Sequence, residues 1–273
     1  MTTSILRTID GWWVQTANGA ARIDTLATTT GGLPTDRTAI DAAVHRAHTV
    51  PGDRLRVISP VTVPCRVVAQ MTNFASHVKG VPPHVKLLDY EVEIGLVIGR
   101  DIPVGTEITE SNLADFIAGL VVTNDVSARD VQLTKTQFYE AKSYPTFTPV
   151  GPALVLLDAD ELNRFGDLRL ELEVNGAVRQ NMLVHGDMIY PPLQALQSLA
   201  RFQRLGTGDL VMTGTPVGTA LGAPPRPPEV KAFLKREASN PKYLQHGDVL
   251  ELSIATNDGA IDLGTQRTAV RYA

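Results

Sequence analysis

From Leu88 to Gly99 the chain alternates residue by residue. Tyr90, Val92, Ile94, Leu96 and Ile98 fall on one side of the count, and Glu91, Glu93, Gly95, Val97 and Gly99 on the other. A period of two over this length specifies a β-strand with one apolar face. Its opposite face carries two carboxylates whose backbones lie roughly 6–7 Å apart, from the rise of a strand, so both side chains can reach a single cation. An acidic face turned to solvent gives the same pattern, and the spacing alone leaves both readings open. Either way the strand needs partners to pair with and a core to cover its apolar side.

The rest of the chain supplies strands more than helices. Short candidates at Ser4–Ile9, Trp12–Gln15 and Ala21–Leu26 are separated by Asp10-Gly11 and Asn18-Gly19 turns. A helix is expected over Asp41–His48; its His45 and His48 are one turn apart but lack a third ligand, and read as surface residues. Ser59-Pro60 and Val63-Pro64 mark a passage, giving a small N-terminal β-rich domain over 1–64 and a main domain over 65–273. In the latter, Val67–Met71 and the near-continuous apolar run Phe116–Thr123 read as strands. Arg169–Val174 and Ala177–Asn181 flank Asn175-Gly176, the signature of a tight hairpin. A helix follows from about Pro191 to Phe202, then a strand Leu210–Thr213 leading into Gly214-Thr215-Pro216-Val217-Gly218. Val249–Ala255 and Arg267–Arg271 close the pattern. This order implies a mainly β, α+β architecture rather than alternating βαβ units.

Composition excludes several functions. A net charge of −4 with dispersed Lys and Arg offers no footprint for nucleic acid. No apolar run approaches the ~20 residues of a membrane span, and no basic amphipathic stretch suits a membrane surface. Cys65 is the only cysteine, which rules out an intrachain disulfide and multi-thiolate metal sites and fits a reduced, cytoplasmic setting.

A third carboxylate, Asp125, stands at the end of the buried run Phe116–Thr123. Such a group needs a counterion or a cation, or it caps the helix that follows. Asp125 falls in the second of four blocks that occur in order: Asp89-Tyr90-Glu91-Val92-Glu93, Asn124-Asp125-Val126-Ser127-Ala128-Arg129-Asp130-Val131-Gln132, Ala141-Lys142-Ser143-Tyr144 and Thr213-Gly214-Thr215-Pro216. Together these resemble the fumarylacetoacetate hydrolase family, from about Val67 to the C-terminus. The resemblance implies a mixed β-sandwich roll, a homodimer, and a divalent cation held by Glu91, Glu93 and Asp125. It makes His77 the general base on a lid, places Lys142 and Gln132 in the same cavity as catalytic groups, and puts Arg129 and Thr215 in contact with substrate. Three hard oxygen ligands suit Mg²⁺ or Mn²⁺, with Ca²⁺ able to take their place, and disfavour zinc.

The chain departs from the family pattern after His77. Relatives carry a glutamate three residues on, where this chain has Gly80, and a much longer segment before the acidic strand. Two explanations fit: a short lid, or residues lost between Gly80 and Val81, which Val81-Pro82-Pro83-His84-Val85 favours as the tail of such a segment. Glu229 or Glu237 would then orient His77. The expected substrate is a small keto acid. In the main reading, water activated by His77 cleaves a C–C bond in an acylpyruvate or fumarylpyruvate type of 1,3-diketo acid. The alternative uses the same site without water attack, as an oxaloacetate-type decarboxylase or tautomerase or a 2-hydroxydienoate isomerase, which the absent glutamate favours; a non-catalytic binding protein is a third reading.

Overall fold

The computed structural model describes residues 2–68, 81–82, 84–135, 137–222, 225 and 229–272. The N-terminal portion contains β1 (Thr3–Thr8), β2 (Gly11–Thr16), β3 (Gly19–Arg22) and α1 (Arg37–Val44). Then come β4 (Val67–Val68), β5 (Leu88–Asp89), β6 (Val92–Ile98), β7 (Ile117–Asn124) and β8 (Ser127–Ala128). Short helices α2 (Arg129–Gln132) and α3 (Tyr139–Lys142) lead to β9 (Leu154–Leu156), α4 (Ala159–Leu162), the hairpin β10 (Leu168–Val174) and β11 (Ala177–Leu183), and α5 (Pro192–Ala200). β12 (Leu210–Met212), α6 (Val230–Glu237), β13 (Val249–Thr256) and β14 (Asp262–Ala269) complete the order.

Two sheets dominate, one ordered β3-β2-β1-β9-β7-β6-β12-β4 and the other β11-β10-β13-β14, with a small β5-β8 pair between loops. This is the mainly β, sandwich-like α+β fold expected. β6 lies inside the larger sheet, flanked by antiparallel β7 and β12. Its apolar face (Ile94, Leu96, Ile98) packs into one core with Leu170 and Leu172 of β10 and Leu252 and Ile254 of β13. Its other face changes character along the strand. Gly95 and Val97 are covered, Val97 within a second core shared with Ile5, Val14, Leu210 and Ile40 of α1, while Glu91 and Glu93, also buried, stand at the strand's N-terminal end. A Cβ on Gly95 would lie 2.6 Å from Val121 Cγ2 and 2.7 Å from Leu210 Cδ1, so the flanking strands close over that glycine.

The division expected at residue 64 does not interrupt the sheet: β1 pairs with β9 through Ser4 and Val155, so the first three strands extend the sheet that holds β6. Two elements shift from their expected positions. The first helix starts at Arg37 and ends before His45, because Ile40 and Ala43 are the positions that bury. The last strand begins at Asp262 and places Leu263 and Gln266 inside, an inward glutamine that hides the alternation. The junction where a lost segment was expected, with Gly80 on one side, lies outside the described residues. His77 lies outside the described residues.

Candidate metal centre

β7 and the turn after it hold Glu91 by both of its backbone groups. Glu91 N donates to Asn124 Oδ1 at 2.9 Å, and Asp125 N donates to Glu91 O at 2.9 Å. Two further backbone steps along β6 bring Glu93 to the same side. One carboxylate oxygen from each of Glu91, Glu93 and Asp125 lies within 4.8 Å of the others, and all three residues are buried. Asp125 is not a helix cap: the residue preceding α2 is Ala128, and no side chain caps that helix.

Two cations and a fourth carboxylate surround the group. Lys142 Nζ, at the end of α3, lies 2.5 Å from Glu91 Oε2 and 2.6 Å from Asp125 Oδ2. Arg129, opening α2, distributes its guanidinium over Asp89 Oδ2 at 2.8 Å, Gln132 Oε1 at 2.8 Å and Glu91 Oε1 at 2.5 Å. Asp89 in turn accepts from Ala220 N at 2.8 Å and Leu221 N at 3.0 Å, tying the loop after β12 to the site. Four buried carboxylates thus face two cations among the described residues, an excess of negative charge equal to one divalent ion.

The protonation equilibria reflect this excess. Burial pushes Glu93 up to about 8, with the negative charges of Asp125 and Glu91 acting in the same direction. Asp125 is raised to about 6 by burial, against the pull of Lys142. Burial also acts upward on Glu91, but Arg129 and Lys142 outweigh it and hold Glu91 below the ordinary range. Asp125 Oδ1 is buried with no hydrogen-bond partner. An orphaned carboxylate oxygen beside an uncompensated charge is what a cation would satisfy, and an all-oxygen donor set suits a hard one.

The glycine-rich loop borders the cluster. Gly214 N donates to Glu93 Oε2 at 2.8 Å. Gly214 has φ +86, and nothing lies within 4 Å of where its Cβ would be, so its side of the loop is open to a ligand. Thr213–Pro216 also line a cavity of about 250 Å³, together with Met188, Ile189 and Tyr190. Thr215 is more committed than its sequence reading implies. Its hydroxyl donates to Val92 O at 2.9 Å and accepts from Gln180 Nε2 at 2.8 Å. Arg129 is likewise fully engaged inside the protein, whereas Gln132 uses its Oε1 on Arg129 and keeps its amide hydrogens without a partner among the described residues. Glu237 accepts from Asn240 Nδ2 at 2.7 Å.

The sequence of the fumarylacetoacetate (FAA) hydrolase C-terminal family profile matches residues 45–271. The chain belongs to the fumarylacetoacetate hydrolase family. Among curated relatives, it is 33% identical over 196 residues to oxaloacetate tautomerase YisK of Bacillus subtilis, covering 72% of this chain and 56% of that one. It is 36% identical over 183 residues to 2,4-didehydro-3-deoxy-L-rhamnonate hydrolase of a Sphingomonas species, covering 67% and 55%. The match therefore spans little more than half the length of these two relatives. Among solved structures of the family's fold, a probable 2-hydroxyhepta-2,4-diene-1,7-dioate isomerase from Mycobacterium abscessus superposes with a TM-score of 0.75 at 26% identity, covering 100% of this chain and 99% of that one. In this family member Asp89, Asn124 and Gln180 are site-building residues that sequence reasoning did not single out. Asp89 stood within the family block beside Arg129's, a pairing signal that was available; a strand glutamine carries none.

Proposed function

We propose that this family member is a divalent-metal-dependent tautomerase or isomerase of a small 2-oxo acid. It moves a proton between oxygen and carbon instead of cleaving a C–C bond with water. The observation that carries the proposal is the cluster itself: three converging carboxylates, one with an orphaned oxygen, and a lysine ammonium held among them. A cation bound there supplies a Lewis acid to the carbonyl and carboxylate oxygens of the substrate.

The chain's own groups do the rest. Asp89 and Arg129 fix Glu91 and keep the cluster's charge near that of one divalent ion. Lys142 Nζ is the proton carrier at hand: it is buried, cationic and within hydrogen-bond reach of two proposed ligands. The enol hydroxyl loses one proton and a carbon gains one (the adjacent carbon in enol-oxaloacetate, the far end of the conjugated diene in a hydroxydienoate), so no water is consumed. Gln132's amide hydrogens and the open side of Gly214 are available to substrate oxygens, and the cavity beside Tyr190 accommodates the remainder of a small molecule. Names among the relatives point the same way, with a tautomerase and an isomerase represented.

Hydrolases are also named among the relatives, the Sphingomonas protein among them, which keeps hydrolysis of a 1,3-diketo acid as the second reading. A product-resolved assay separates them. With added Mn²⁺, the proposal expects loss of enol absorbance from oxaloacetate, or a shifted double bond in a hydroxydienoate, with no new carboxylic acid. Stoichiometric release of a second acid from an acylpyruvate, without tautomerisation, overturns it.

A further inference from the structure

Gln180 lies in β11 at 1% exposure, although Val178, two residues before it, is 53% exposed. An unbroken strand would put both on one face. The pairing with β10 explains the reversal: Gln180 opposes buried Leu172 and Val178 opposes Glu173, so Arg179 is an extra residue in the ladder. Such a bulge turns a side chain to the other face of its strand. Gly218 presses against it, and a Cβ there would meet Arg179 O at 2.2 Å.

The side chain turned inward crosses from the smaller sheet to the larger. Gln180 Oε1 accepts from Val92 N at 3.1 Å, while its Nε2 donates to Thr215 Oγ1 at 2.8 Å and to Pro216 O at 2.7 Å. Thr215 Oγ1 closes the circuit by donating to Val92 O at 2.9 Å. Both polar groups of the Val92 residue are therefore gripped, one by Gln180 and one by the hydroxyl that Gln180 holds. Val92 is the residue between Glu91 and Glu93. The same loop sends Gly214 N to Glu93 Oε2.

We infer that Gln180 is a positioning residue for the metal centre: through Val92 and the Thr213–Pro216 loop it sets the separation and aim of Glu91 and Glu93. The inference rests on the proposed cation at those carboxylates. Its removal strands Val92 N–H and the Pro216 carbonyl without partners, and the two ligands lose their shared anchor.

The test is Mn²⁺ titration of the full chain by calorimetry, with Tm recorded for each variant. Gln180→Leu keeps the volume and removes every hydrogen bond; Gln180→Glu keeps the acceptor for Val92 N–H and loses the donors. The inference predicts that the Mn²⁺ Kd rises about 10- to 100-fold in Gln180→Leu and less in Gln180→Glu, while Asn181→Ala, exposed on the same strand, is unchanged. Should Gln180→Leu not fold, Gln180→Glu alone decides, by weaker Mn²⁺ binding than wild type. Variants with a lowered Tm but wild-type Mn²⁺ affinity overturn the inference. A wild-type chain that binds no Mn²⁺ overturns the metal reading, and the inference with it.

Discussion

Lys142 Nζ and Glu91 Oε2 lie 2.5 Å apart, both buried, at the point where a metal ion would draw on the same carboxylate. Glu91 has its other oxygen on Arg129, so ammonium and dication compete for the cluster's negative charge. Lys142→Met removes the competitor while leaving three carboxylates in place. It is expected to bind Mn²⁺ at least as tightly as the wild type, yet to lose about 10²- to 10⁴-fold in turnover, the usual contribution of a positioned proton carrier. Calorimetry and a tautomerase assay on one preparation check both halves; weaker Mn²⁺ binding would make Lys142 a support for the metal site instead.

Stability of the metal-free protein should fall as pH rises. Glu93 is held up to about 8 by burial first and then by Asp125 and Glu91, against 4.5 for an ordinary glutamate. Between these values the folded chain keeps a proton that the unfolded chain has released, so the contribution of Glu93 to stability is full below pH 4.5 and lost as pH climbs through about 8. Asp125, raised to about 6, acts in the same sense. Scanning calorimetry in EDTA is expected to show Tm declining from pH 5 to pH 8, and saturating Mn²⁺ to remove most of the decline. A Tm that rises across this range in EDTA contradicts the charge assignment.

Breaking the Asp89–Arg129 pair tests the frame beneath the site. Asp89 is fully buried and Arg129 is 3% exposed, and Asp89→Asn leaves the guanidinium on Glu91 and Gln132 but removes its buried charged partner at Nε, at a cost of about 1.5–3 kcal/mol. The exposed Arg46–Asp24 pair, 3.5 Å apart, is the control; Asp24→Asn should cost under about 1 kcal/mol. Urea denaturation measures both.

The sequence made the ligand strand legible because its period-two pattern separates two faces that meet different surroundings, although both are buried: the expected apolar face is the one that packs on β10 and β13. The Asn175-Gly176 hairpin and the helix after Pro191 were legible for similar local reasons, as turn chemistry and Pro-Pro entry leave few alternatives. What stayed hidden depends on contacts distant in the chain. Gln180 bonds to residues 35 and 88 positions away, and a bulge inverts its face, so alternation misleads. Gln266 is concealed for the same reason, an inward glutamine whose Nε2 reaches Gly151 O at 3.0 Å. Thr215 shows the converse: its motif is plain in sequence, yet its hydroxyl serves Val92 and Gln180.

The central claim is that Glu91, Glu93 and Asp125 together hold one divalent cation. Mn²⁺ titration of the chelator-stripped wild type beside Glu93→Gln tests it most directly. One ion per chain in the wild type, abolished by the substitution along with turnover, is the predicted result. No binding in the wild type, or equal binding in Glu93→Gln, would contradict it.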